Sequence, residues 1–319
     1  MTIFNYKDIN EALEVPDEIF LLAYRGSIAH NLYVPKNDPN CIDDVDLMGF
    51  AIGSIENYFG LREWGSRGTK EVKQGHYDVV YYEIRKAVSL LLQGNPNILG
   101  MLWTRPADFI IRSPIGNMLI ENRALFRGKH VYNAFAGYAH SQLTRMESRN
   151  KDELSLYLNV TAELKYRGAH PNHKGECFEK NEPTGLELTA NEWLLEKLTA
   201  YHKKGENLGY MGDKRKRLVL EHGYDAKNAA HLIRLLRMCI EFMSTGDLVV
   251  YREADREELL AIKAGKWPLV EVKALADQLF VDAKAARDAS GLPNEPERVK
   301  VESLMVDCLV EHFERKEQA

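Results

Sequence analysis

An apolar run, Ile19-Phe20-Leu21-Leu22-Ala23-Tyr24, stops at Arg25-Gly26-Ser27, and a polar loop later the chain reaches Asp44-Val45-Asp46 and a second apolar run to Ile52. This arrangement constrains the fold more than any other feature. Both runs are too short for typical helices and fit buried strands. Side chains two apart on a strand share a face, so Asp44 and Asp46 point the same way, and Asp43 turns to the other face or into the loop. Two adjacent carboxylates repel unless a cation lies between them. Magnesium suits that position, because it takes oxygen ligands and binds one or two carboxylates together with substrate phosphates. Gly26-Ser27, where a strand meets a helical turn, offers backbone N–H groups to an anion, and the glycine permits close approach. Phosphate turn and carboxylate pair together point to chemistry on a nucleotide.

The length of 319 residues suggests two domains. Hydrophobic content of 45% and charged content of 28% fit a folded soluble protein. A formal net charge of −5 argues against a chain that coats nucleic acid over its whole surface, while leaving room for a local basic patch. The segment from Met1 to Glu14 lacks the apolar core of a signal peptide, and no apolar run reaches the roughly 18 residues of a membrane span. Cys41, Cys177, Cys239 and Cys308 form no CxxC pair, so a reduced, cytoplasmic protein is expected. His170, His173 and Cys177 have a spacing loosely compatible with zinc. A fourth ligand is not evident, and the Pro-, Asn- and Gly-rich surroundings favour a loop.

Strands and helices alternate in the N-terminal part. Ser27 to Tyr33 fits a helical turn, and Pro35 to Asn40 is a loop by composition. Residues 69 to 82 predict a hairpin: Lys70 to Lys73, a Gln74-Gly75 turn, then the β-prone stretch from His76 to Tyr82. Glu83 to Gln93 predicts an amphipathic helix with Ile84, Val88, Leu91 and Leu92 on one side, closed by Gly94. Helical spacing then recurs over 133–148, 152–165, 190–203, 214–221, 225–244, 253–264 and 270–289. Composition shifts near Arg112-Ser113-Pro114-Ile115-Gly116. The expected class is therefore α+β: a catalytic domain over 1–115 with a small mixed sheet and helices, then an all-helical substrate- and nucleotide-binding domain over 116–319. A cleft between them is the natural ligand site.

Phosphoryl transfer with two metals calls for a further carboxylate. Asp78 heads a strongly β-prone segment that could lie beside the Asp44 strand; Glu71 and Glu83 are weaker candidates. Lys227, His231 and Arg234 fall at i, i+4 and i+7, one stripe on a helix whose neighbours Leu232, Ile233, Leu235 and Leu236 are apolar. Such a stripe meets either acids, as structural ion pairs, or anions. Ser141 and Arg145 form a similar i, i+4 pair. Lys203-Lys204 and the run Lys214, Arg215, Lys216, Arg217 are the dense basic patches. They read as solvated helix faces or as contacts to a nucleic-acid backbone or the triphosphate, with Tyr201, Tyr210 and Tyr224 nearby as base-stacking candidates.

Gly-Ser followed by Asp-x-Asp on a strand, with a later strand carboxylate, resembles the nucleotidyltransferase superfamily of DNA polymerase β. The closer resemblance is to a group of predicted bacterial and phage nucleotidyltransferases, some encoded beside RNA-repair ligases. Its signatures here are Arg25-Gly26-Ser27-Ile28-Ala29-His30-Asn31-Leu32, Asp43-Asp44-Val45-Asp46-Leu47-Met48-Gly49, and Arg85-Lys86-Ala87 through Gly94-Asn95-Pro96-Asn97. Gly137-Tyr138-Ala139-His140-Ser141-Gln142-Leu143 and Gly223-Tyr224-Asp225-Ala226-Lys227 through His231-Leu232-Ile233-Arg234 follow. One departure is Gly100, where an acidic residue is expected in this group.

The resemblance implies that Asp44 and Asp46 bind two Mg²⁺ ions (Mn²⁺ as a substitute) and that Asp78 completes the site on the nucleophile's metal. Gly26 and Ser27 would hold the β and γ phosphates of an NTP; the helical spacing separately offers Lys227, His231, Arg234, Ser141 and Arg145 as further nucleotide-ligand candidates. A substrate hydroxyl would displace pyrophosphate. An RNA end is the expected acceptor. A protein or small-molecule acceptor, and an inactive nucleotide- or RNA-binding module, are the alternatives. The acidic balance favours the former, and the three aspartates together speak against the latter.

Overall fold

The computed structural model describes residues 2–4, 12–35, 45–166, 185–209 and 211–317. Two short strands, β1 (Thr2–Phe4) and β2 (Ala12–Glu14), form an antiparallel pair. The central sheet has five strands: β3 (Ile19–Tyr24), β4 (Val45–Ala51), β5 (Thr69–Gln74), β6 (Tyr77–Glu83) and β7 (Phe109–Arg112), in spatial order β5-β6-β4-β3-β7. Only β4 and β6 run parallel; the other pairings are antiparallel. Apolar side chains account for the central strands, since Leu21, Leu22, Leu47, Phe50 and Val79 are fully buried. The expected hairpin forms around Gln74-Gly75, and the expected strand beside β4 is its second arm, β6.

Helices surround this sheet and then dominate the chain. Short α1 (Gly26–Ala29) and α2 (Glu56–Phe59) are followed by α3 (Ile84–Leu92), α4 (Pro96–Leu99) and α5 (Pro114–Glu121). Next come α6 (Val131–Ser148), α7 (Lys151–Tyr166), α8 (Gly185–Lys204), α9 (Glu206–Gly209) and α10 (Asp213–His222). The chain continues with α11 (Ala226–Thr245), α12 (Arg256–Lys263), α13 (Leu269–Ala289) and α14 (Arg298–Glu317). The class is the expected α+β, a small mixed sheet followed by helices. No helix among the described residues is long and apolar enough to cross a membrane.

Among the segments that depart from the sequence expectation, three have a physical reason in the structure. The helix anticipated from Glu253 begins at Arg256, because Asp255 is engaged by the side chains of Arg252 and Arg237. Strand β7, at the edge of the sheet, is an apolar segment of only four residues, too short to stand out between Asp108 and the Ser113-Pro114 turn. Helix α14 exposes Val299, Val306 and Val310 and buries Val301, Leu304 and Cys308, which blurs its amphipathic pattern.

One apolar cluster runs from the sheet into the helices. It includes Phe20 and Met48 of the strands, Leu91 of α3, Leu119 of α5, Leu236 of α11 and Cys308 of α14. Each fully buried large apolar side chain there contributes about 1.5–3 kcal/mol. Helix α11 is central: it packs on α6, α12 and α13, and Leu232, Ile233, Leu235 and Leu236 are all buried. Asp225 caps its first turn through the backbone N–H of Asn228. The opposite face of the sheet buries a second cluster with Leu22, Leu47, Val79 and Tyr81. Core on both faces leaves the strand ends as the place where polar groups gather.

Candidate active site

Strand β3 delivers its last residues beside the first residues of β4, and the backbone N–H of Arg25 donates to the Asp46 carbonyl at 2.9 Å. Gly26 then adopts φ +60° at the start of α1. A Cβ at this position would collide with Asp46 Oδ2. Glycine is therefore required twice, by the left-handed backbone and by the carboxylate packed against it. The Ser27 hydroxyl is buried and has no hydrogen-bond partner, as has Arg25 Nε. Buried polar atoms left unmatched are uncommon, and here two of them belong to the turn that packs against the Asp46 carboxylate.

Asp46 on β4 and Asp78 on β6 are paired in register across the parallel ladder. In-register neighbours share a sheet face and lie about 4.8 Å apart. Arg25 Nη2 stands 3.9 Å from Asp46 Oδ1 and 3.9 Å from Asp78 Oδ1, so one guanidinium faces both carboxylates. All three side chains are partly solvated, and each ion pair contributes at most about 1 kcal/mol. The arrangement marks where a cation is wanted. Asp44 lies outside the described residues, as do Asp43, His170, His173, Cys177 and Tyr210. Among the described residues, no group of three or more His, Cys, Asp or Glu side chains could hold a metal ion. Two carboxylates side by side, all-oxygen donors next to the Gly26–Ser27 turn, have the donor chemistry that suits magnesium. Glu83 does not join them: it is buried at the far end of β6, bound to Arg85. Glu71 is exposed on β5, opposite Val80.

Asp46 also borders a cavity of 290 Å³ between the sheet and the helices. Gly26, Ser27, Lys227, His231 and Arg234 all line it, which brings the helical stripe opposite the phosphate turn as the sequence suggests. Arg25 and Lys263 add to the lining, so four cationic side chains meet one carboxylate, Asp46. His231 packs edge-on against Tyr138, and its Nε2 is buried without a partner. Burial first, then the charges of Arg234, His30 and Lys227, hold its pKa well below the ordinary value, so the ring is neutral. An excess of positive charge in a partly apolar cleft is suited to a polyanionic ligand.

Other sequence candidates lie elsewhere. Ser141 and Arg145 follow Tyr138 on α6 but are not among the residues lining the cavity; Arg145 reaches it only through its field on His231. Asp78 stands at the outer, half-exposed side of the carboxylate pair. Within the basic run, Arg215 turns inward: it forms hydrogen bonds at 3.1 and 2.7 Å to the buried Asp225 carboxylate and at 3.0 Å to Asn228. That side chain supports the start of α11 and is not presented to a nucleic acid. Lys216 lies 3.8 Å from Asp213, while Lys214 and Arg217 are exposed. Tyr224 is buried and donates to the Trp267 carbonyl, and Tyr201 donates to Glu153, so neither ring serves as a free stacking platform.

Four residues of the site carried no individual signal in the sequence. Arg25 faces both carboxylates, His30 bonds Arg234, Lys263 donates to the Leu32 carbonyl at 2.7 Å, and Tyr138 packs on His231. The segment after α1 is fastened to distant chain: His30 Nδ1 donates to the Val250 carbonyl at 2.8 Å, Asn31 to that of Arg252 at 3.2 Å, and Arg256 to that of Asn31 at 2.9 Å.

Comparison with known proteins agrees with this geometry over the N-terminal half. Residues 12–163 match the family described as the RNA repair pathway DNA polymerase beta family. The match bears out the resemblance drawn from the Gly-Ser and Asp-x-Asp signatures. It covers the whole five-stranded sheet and the helices through most of α7. No curated protein and no solved structure matches the chain.

Proposed function

We propose that the protein is a metal-dependent nucleotidyltransferase that moves a nucleoside monophosphate from an NTP to a hydroxyl at an RNA end, releasing pyrophosphate. The observation that carries this reading is the in-register pair Asp46 and Asp78 beside the Gly26–Ser27 turn, at the mouth of a cation-rich cavity. The family match to RNA repair polymerases of the β type supports the same class and suggests RNA as the acceptor.

Asp46 faces the cavity and Asp78 the solvent, which divides the site into a donor side and an acceptor side. On the donor side, the unmatched Ser27 hydroxyl and the backbone N–H groups of the turn would bind phosphate oxygens, and Lys227 and Arg234 would balance their charge. On the acceptor side, Asp78 would help to orient the incoming hydroxyl for in-line attack on the α-phosphate. Two Mg²⁺ ions held by Asp46 and Asp78, with Asp44, would supply charge stabilisation at the entering and leaving oxygens. Arg25 would then be released from the carboxylates toward the phosphates.

A protein or small-molecule acceptor is the second reading, favoured by the net charge of −5 and by the inward turn of Arg215. One assay separates the two. Incubation with Mg²⁺ and each α-labelled NTP, against total RNA and total protein, is expected to label RNA. Asp46→Asn and Asp78→Asn are each expected to lower labelling by at least about 100-fold. Labelling that survives both substitutions would remove the carboxylate assignment, and label confined to protein would select the second reading.

A further inference from the structure

The inner end of the cavity holds a charge that the fold leaves uncompensated. Arg234 is buried on α11, and its Nη1 meets only two groups, His30 Nε2 at 2.7 Å and Met238 Sδ at 3.2 Å. Among the described residues it forms no ion pair. Asp255, whose field reaches it, is already bound by Arg252 at 2.9 and 2.7 Å and by Arg237 at 3.0 Å. Burial pulls the guanidinium down to about 9, the direction expected of a cation without a counter-charge. His30 fixes its orientation. The Val250 carbonyl can only accept, so His30 Nδ1 carries the proton and Nε2 presents its lone pair to Arg234, which can only donate. Arg252, the other cation near this ring, is turned to Glu241 and Asp255.

Gly100 supplies an independent observation. Its backbone is helical, at φ −54° and ψ −27°, so no conformational need explains a glycine, which weakens a helix relative to alanine. A Cβ there would make one ordinary van der Waals contact, to Val250 Cγ2 at 3.8 Å, and meet no other side chain within 4 Å. Val250 is also the residue whose carbonyl holds His30, and Gly100, Val250 and Arg234 all line the same cavity. The unpartnered His231 Nε2, one turn before Arg234 on α11, faces the same cavity. The phosphate turn lies close by, since His30 follows Ser27 by one helical turn, about 5 Å along the axis.

We propose that Arg234, oriented by His30 and kept accessible by the missing side chain of Gly100, is a second anion subsite that reads the terminal phosphate of the donor nucleotide. The proposal rests on the nucleotide-donor reading above and adds to it the residue that tells a triphosphate from a diphosphate. Gly26–Ser27 would hold the phosphates nearer the carboxylates, and Arg234 the last one. His30 is a positioning residue, acting through the guanidinium. A free pyrophosphate carries the same chemistry, and the test distinguishes the two sources.

The experiment is calorimetric titration of the full chain in Mg²⁺ with an α,β-methylene triphosphate, the matching diphosphate and monophosphate, and pyrophosphate alone. The wild-type protein is expected to prefer triphosphate over diphosphate by about 10-fold or more, the scale of one charge-assisted contact. Arg234→Gln, which keeps a donor for His30, is expected to erase that preference and leave monophosphate affinity unchanged. Its melting temperature without ligand is expected not to fall, because a buried uncompensated cation has been removed. Gly100→Asp supplies an internal carboxylate and is expected to reduce the preference more than Gly100→Asn. His30→Phe is expected to weaken triphosphate binding without changing monophosphate binding.

Equal weakening of all three nucleotides by Arg234→Gln would overturn the subsite. So would equal effects of Gly100→Asp and Gly100→Asn. Arg234-dependent binding of pyrophosphate with no triphosphate preference would assign the subsite to the free product and overturn it as well. Absence of any nucleotide binding by the wild-type protein would instead remove the donor reading beneath it.

Discussion

At the scale of single residues, the site depends on contacts that leave no room for a methyl group. Gly26→Ala places a Cβ against the Asp46 carboxylate and forces a side chain into a left-handed backbone. The backbone cost is about 1–2 kcal/mol, whereas a misplacement of about 1 Å at a reacting centre costs on the order of 100-fold in rate. The expected outcome is a modest drop in melting temperature with a loss of labelling near 100-fold; a scan and the NTP assay measure both. Asp46 and Asp78 were legible as carboxylates near the starts of two β-prone segments, whereas their register across the ladder comes from the fold, and Asp44 lies outside the described residues. Arg25, His30 and Lys263 were not, because their partners lie on other elements, and for His30 and Lys263 more than 200 residues away. Periodicity reports which face a side chain takes; it does not report what is brought to that face.

At the scale of elements, the basic run on α10 illustrates the limit of reading charge by proximity. A cluster of Lys and Arg suggests a nucleic-acid contact, yet Arg215 is spent on the buried Asp225 at the start of α11. Arg215→Ala is expected to destabilise the protein by about 3 kcal/mol, since it leaves a buried carboxylate short of its partner. Arg149, 3.6 Å from the same carboxylate, would offset part of that. Lys214→Ala and Arg217→Ala are expected to leave stability within about 0.5 kcal/mol. Denaturant titration of the three variants checks the contrast. The long, strongly periodic helices and the apolar central strands were visible in the sequence. Strand β7 was not, being four residues long and partly exposed, and α14 was obscured by the valines on its outer side.

At the scale of the whole molecule, the sheet and the helices share one apolar cluster, with two neutral histidines set between them. His30 and His231 both have pKa values held well below 6.5, chiefly by burial. Below pH 6.5 the unfolded chain takes up protons at these positions and the folded chain does not, so stability falls as pH falls through this range. The melting temperature is expected to decrease between pH 7 and pH 5, and His231→Gln is expected to flatten that dependence. Thermal scans across the range, at constant ionic strength, provide the measurement; a slope unchanged in the variant would reject the histidine as its source.

The bonds that fasten residues 30–32 to residues 250–263 also set an order of events during synthesis. The turn that would receive phosphate is made early, but its supports at Val250, Arg252, Arg256 and Lys263 are translated more than 200 residues later. A nascent chain on the ribosome carries the carboxylates and the glycine turn without the atoms that fix them. The turn is thus unsupported while the chain is being made, and a message truncated before the codon for Lys263 yields no fragment that holds all four of these bonds.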